Sequence, residues 1–216
     1  MKVEMYIPDT LNEITLGQYQ KYIKYQNDND DENFLAIKMI EVFCGLRNNT
    51  VRAMKAKSIS DICKILVDMF NEKPDLVKQF KMNGITYGFI PDLENMTFGE
   101  YIDLDTFIGD FENMHKAMSV LYRPITQSYK DKYLIEKYTG DKSEDMIHMP
   151  MDAVFGSILF FYHLGMELST AMLNSLEGQE EESLVHYLNS TKNGDGINQF
   201  TASLKEILED LKISLN

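Results

Sequence analysis

Apolar positions along this 216-residue chain recur mostly at helical spacing, interrupted by short stretches that alternate. Thr15 is placed to cap a helix carrying Tyr19, Tyr22 and Ile23 on one face. Phe34, Ile37, Ile40 and Cys44, flanked by Leu35, Met39, Val42 and Phe43, predict a second helix with a broad buried face, ended by Gly45. A short helix is expected from Arg47 to Ala56. Ser58 or Ser60 would then cap a third amphipathic helix bearing Ile62, Ile65, Leu66, Met69 and Phe70. A helix from Phe111 should stop at Tyr122, because Pro124 disfavours helical geometry at Arg123. Tyr129 to Tyr138 fits strand or helix. The most apolar helix spans Met151 to Leu176, with Gly156 and Gly165 as points of close packing. Its longest apolar run, Ala153 to Met166, covers about 21 Å as a helix, short of a bilayer core, so it reads as buried.

The alternating stretches predict a small sheet. Val3 to Ile7 reads as a strand stopped by Pro8-Asp9. Asn83-Gly84 between two alternating runs is a strong hairpin signal, since both turn positions need positive φ. The hairpin is expected to pair with the N-terminal strand.

A repeat runs through the pattern. Tyr6-Ile7-Pro8-Asp9 precedes Ile14-Thr15-Leu16-Gly17-Gln18-Tyr19, and Phe89-Ile90-Pro91-Asp92 precedes Met96-Thr97-Phe98-Gly99-Glu100-Tyr101. Each copy stops a strand with proline, offers threonine to the free N–H groups of a helix start, and continues into two helices. The expected fold is therefore mainly α: two related strand–turn–helix–helix halves, about 1–80 and 81–177, share one core with a small antiparallel sheet. Residues 178–196 read as an acidic linker with a short helix. Residues 197–216 read as an amphipathic helix whose apolar stripe includes Phe200, Leu204, Ile207, Leu208 and Leu211.

Charge narrows the function. The net charge of −13 argues against a nucleic-acid backbone or an anionic membrane as partner. Residues 151–216 carry 10 acids and 3 bases, so the negative charge is densest in the last third. Against that background, Val42 to Ser60 holds no acid and the four bases Arg47, Arg52, Lys55 and Lys57. Such an island is a candidate docking patch for an acidic partner, including the last third of another copy.

Catalytic signatures are missing. There is no phosphate-cradling loop, no nucleophile elbow and no HExxH. His163 reads as buried, with Glu167 one turn on as its partner. Asp103, Asp105, Asp110 and His115 are the one set with spacing that a metal-assisted hydrolase could use, but as helix-start acids they more simply face solvent. Cys44 and Cys63 form no CxxC and are expected to be reduced, buried thiols. No cofactor or metal is expected.

Ile7-Pro8-Asp9 with Ile14 to Tyr19, Tyr87 to Pro91 with Met96 to Tyr101, and Leu121 to Ile125 together resemble small tailed-phage proteins of the crAss-like type. The resemblance spans roughly residues 1–165 and brings no catalytic residue with it. It implies a virion-associated protein, structural or carried as cargo near tail or portal. Its partners would be other phage structural proteins or further copies of itself, and it would pass through the host cytoplasm during assembly. A tail assembly chaperone is the alternative, and an acidic host-takeover protein a more distant one.

Overall fold

Both copies of the repeated motif start a helix in the same way. The computed structural model describes residues 5–140 and 143–176, with side chains in the last helix to residue 167. Helix α1 (Leu16–Asp28) begins with a reciprocal cap, in which Thr15 Oγ1 accepts from Gln18 N–H at 3.2 Å and Gln18 Oε1 accepts from Thr15 N–H at 2.9 Å. Helix α5 (Phe98–Phe107) repeats it, with 3.3 Å from Glu100 N–H to Thr97 Oγ1 and 2.7 Å from Thr97 N–H to Glu100 Oε2. Each cap satisfies two backbone donors that a helix end would otherwise leave free.

After α1 come α2 (Glu32–Phe43), capped by the Asp31 carboxylate, the short α3 (Asn48–Arg52) and α4 (Ala56–Phe70). Neither Ser58 nor Ser60 is the cap of α4; Lys55 holds that position. Strands β1 (Gln79–Met82) and β2 (Ile85–Phe89) form the expected hairpin, with Asn83 and Gly84 at φ of 52° and 78°. Past the three residues that follow α5, a 3-10 turn (Phe111–Asn113) leads into α6 (Met114–Leu121). Strands β3 (Tyr122–Tyr129) and β4 (Lys132–Ile135) follow, and α7 (Met151–Leu176) ends the described chain.

The four strands make one antiparallel sheet in the order β1-β2-β3-β4. Strand β3 is shared along its length. Tyr122 to Pro124 pair with β2, and Ile125 to Tyr129 pair with β4, with a register shift between Ile125 and Gln127. Pro124 sits at the changeover, where its missing N–H costs least.

This overturns the expectation of a mainly α fold of two related strand–turn–helix–helix halves. The fold is mixed α and β. Met5 to Asp9, the described part of the expected N-terminal strand and its turn, joins no ladder, and the hairpin pairs through β2 with β3 instead. The halves also differ in packing. In the first, Leu16, Tyr19 and Gln20 are 0%, 5% and 9% exposed; in the second, the matching Phe98, Tyr101 and Ile102 are 77%, 49% and 44% exposed.

Helix α7 is the central pillar. From Met151 to Tyr162 nearly every side chain is buried, as an all-round apolar helix requires. Its start is tied to the start of α1: Leu16 N–H donates to Met149 O at 2.8 Å and Met151 N–H to Ile14 O at 2.9 Å. Rings of Phe43, Phe70, Phe111 and Phe155 surround Tyr19 with centroids 5.0–6.3 Å away. Past Tyr162 the helix leaves the core, and His163, read from the sequence as buried, is exposed together with Glu167. Among the described residues, no helix is long and apolar enough to cross a membrane.

One buried polar contact makes the core pH-sensitive. The Gln20 side-chain amide donates to Phe111 O and Glu112 O and lies 3.3 Å from His115 Nδ1, so a neutral ring with an acceptor there fits best. Burial lowers the His115 pKa, and nearby Glu144 opposes this only in part. The unfolded chain therefore takes up a proton first as pH falls. Stability should drop from about pH 7 to about pH 5 through this residue, and His115→Gln should flatten the drop. Urea midpoints of both proteins at the two pH values measure it.

Candidate protein-binding site

Local sequence explains how the basic island is displayed. Arg47 precedes α3 in extended conformation, and its carbonyl accepts from Thr50 and Val51 N–H groups. Arg52 lies in the last turn of α3, Lys55 is the N-cap of α4 and Lys57 is in its first turn. All four side chains are exposed, and none forms an ion pair with a described residue. Lys55 and Lys57 stand at the positive end of α4, which has no acid in its first turn. That arrangement opposes the helix dipole and concentrates positive potential on the surface.

The island borders a groove. Helix α2 packs against α3 and α4, leaving an open cleft of about 520 Å³. Its floor is Ile37, Val51, Met54, Ile59 and Cys63, Arg52 lies on its rim, and Glu32 with Asn33 closes one end. An apolar floor beside exposed bases suits an amphipathic, acidic segment. A second concavity beside Arg123 and Tyr138 measures about 30 Å³, room for no more than a water-sized group.

Lys55 makes no capping hydrogen bond. Lys55→Asp should supply one and reverse the clash with the dipole, adding about 1 kcal/mol of stability in urea denaturation.

The remaining sequence candidates disperse. Phe200, Leu204, Ile207, Leu208 and Leu211 lie outside the described residues, as do the linker and short helix expected before them. Asp103 accepts from the Tyr138 hydroxyl at 2.7 Å, Asp110 caps the 3-10 turn, and His115 faces Gln20. Among the described residues no three acidic, histidine or cysteine side chains gather as metal ligands would. Cys63 lines the groove and donates weakly to Ala36 O at 3.9 Å, and Cys44 is half-buried; both are free thiols. Burial raises both pKa values, that of Cys44 to about 11, so neither is a ready nucleophile at neutral pH.

Sequence reading missed a buried ion pair. Glu100, which closes the cap of α5, also accepts from Arg123 Nη1 at 2.7 Å, with side chains only 6% and 10% exposed. Burial raises the Glu100 pKa, but the hydrogen bonds with Thr97 and the Arg123 charge outweigh it and hold the carboxyl below its ordinary value. The signal was there: Arg123, one of three arginines, stands between apolar Leu121-Tyr122 and Pro124. No protein-family model matches the chain, and neither a curated protein nor a solved structure is significantly similar to it.

Proposed function

We propose that this chain is a non-enzymatic, virion-associated protein of a tailed phage, structural or carried as cargo, that acts by binding other proteins. The observation that carries the binding part is the apolar groove between α2 and α4 with Arg52 on its rim, near exposed Lys55 and Lys57, none of the three in an ion pair with a described residue. The phage assignment rests on the Ile-Pro-Asp and Thr-x-Gly-x-Tyr motifs and their resemblance to small crAss-like phage proteins.

Quantitative mass spectrometry of purified particles tests both parts. The chain should be present at a fixed ratio to the major structural proteins. Arg52→Glu with Lys57→Glu, both at exposed positions, should reduce that ratio at least tenfold, a loss of about 1.4 kcal/mol in binding. Absence from finished particles, with retention on unassembled tail proteins, would favour the chaperone reading instead. Incorporation that ignores the two charge reversals removes the groove from the account.

A further inference from the structure

The internal repeat exposes a surface that its sister copy covers. Leu16, Gly17 and Tyr19 of α1 lie under the Ile147–Pro150 segment and the aromatic cluster, and a Cβ on Gly17 would come within 3.1 Å of Ile147 O. The matching Phe98, Gly99 and Tyr101 of α5 are exposed, and a Cβ on Gly99 would meet nothing within 4 Å. Phe98, Tyr101 and Ile102 stand at i, i+3 and i+4, so they form one stripe on the outer face of the helix. Three large apolar side chains in a row are costly to leave in water.

The charge around that stripe is one-sided. Residues 91–112 contain seven acids and no base, and of these Asp92, Glu94, Asp105, Asp110 and Glu112 are exposed. The α2–α4 groove complements it: concave where α5 is convex, apolar at its centre as the stripe is, with Arg52 on its rim, the rest of the basic island nearby in the chain and Glu32 at one end. Helix α5 packs chiefly against α6.

We propose that α5 of one copy seats Phe98, Tyr101 and Ile102 in the α2–α4 groove of a second copy, with its acidic surround against Arg47, Arg52, Lys55 and Lys57. This rests on the reading of the groove as a protein-binding site and names its occupant. The two faces are different patches of the same chain, so the contact is head-to-tail and propagates into rings or filaments beyond a dimer. The apolar stripe supplies affinity, and the charges supply register and a dependence on salt.

Sedimentation velocity of the full-length chain across a range of concentration and salt tests it. The wild type should grow past a dimer as concentration rises and dissociate as salt rises. Phe98→Glu alone, and Arg52→Glu with Lys57→Glu alone, should each weaken association at least about 30-fold, as loss of a central anchor does. Mixed in equal amounts, the two variants should form a one-to-one dimer that grows no further, because each retains the face the other lacks. Association that survives both variants, that yields no dimer on mixing, or that is abolished only by removing residues 177–216, overturns the proposal. A wild type that stays monomeric also overturns it, while particle incorporation still decides the groove's role independently.

Discussion

Replacing Arg123 with alanine is expected to cost about 3–5 kcal/mol of folding stability, read as a lower urea midpoint with little change in slope. The loss comes from the partner left behind. Glu100 is 6% exposed at its side chain, and without Arg123 its charge would sit at the junction of α5 and β3 with only the Thr97 cap to hold it. Glu100→Gln should fall in the same range for the mirror reason: the cap geometry survives, but Arg123 becomes an unpaired buried cation. Its Nε already lacks a hydrogen-bond partner among the described residues. The double change Glu100→Gln with Arg123→Met should cost less than either single change, since no buried charge remains. The wild-type pair also has a pH signature. The Glu100 pKa is depressed in the fold, so its contribution is present above about pH 4.5, the ordinary glutamate range, and is lost as pH falls through the lower folded value. A double-variant loss equal to the sum of the two single losses would show that this pair is not coupled.

Gly156→Ala should cost about 2 kcal/mol. A Cβ at this position in α7 would lie 2.4 Å from Asp75 O and 3.0 Å from Asp75 C, both backbone atoms of the segment between α4 and β1. Inserting a methyl group into a packed site costs about 1–3 kcal/mol, and backbone yields less easily than a side-chain tip. Alanine returns about 1 kcal/mol of helix propensity, which leaves a net loss from the upper end of that range. Thermal or urea denaturation reads it directly. An unchanged midpoint would mean that the 72–78 segment moves aside freely, against its place between the hairpin and the pillar helix.

These two sites differ in how visible they were beforehand. Gly156 stood out as a small residue in an otherwise large, apolar helix, and α7 follows the bounds that its pattern and Pro150 suggest. Both helix starts were legible at Thr15 and Thr97, and the Asn83-Gly84 turn was legible because its chemistry is local. Strands β3 and β4 were not. From Thr126 to Tyr129 the side chains are exposed or nearly so on both faces, so the inside–outside alternation that marks a strand never develops. The Pro-Asp motif at residues 8–9 suggested a strand before it, yet Met5 to Ile7, its described part, enters no ladder, because a proline stop is equally at home after an unpaired extended segment. Of the candidate site, the basic rim could be read from a run without acids. Its apolar floor could not, since that depends on α2 lying beside α4 across 20 or so residues of chain.

The divided pairing of β3 has a consequence for how the molecule breathes. Its first three residues are clamped between the hairpin and the core, with Tyr122 buried and its hydroxyl donating to Val77 O at 2.7 Å. Beyond the register shift it continues only as a two-stranded ribbon with β4, where Tyr129 and Leu134 are 74% and 59% exposed. Such a ribbon has little of its own to hold it in water. Amide protons from Thr126 to Leu134 will therefore exchange with solvent through local fraying, orders of magnitude sooner than those of α6 and the start of β3, so no single free energy describes the opening of this sheet.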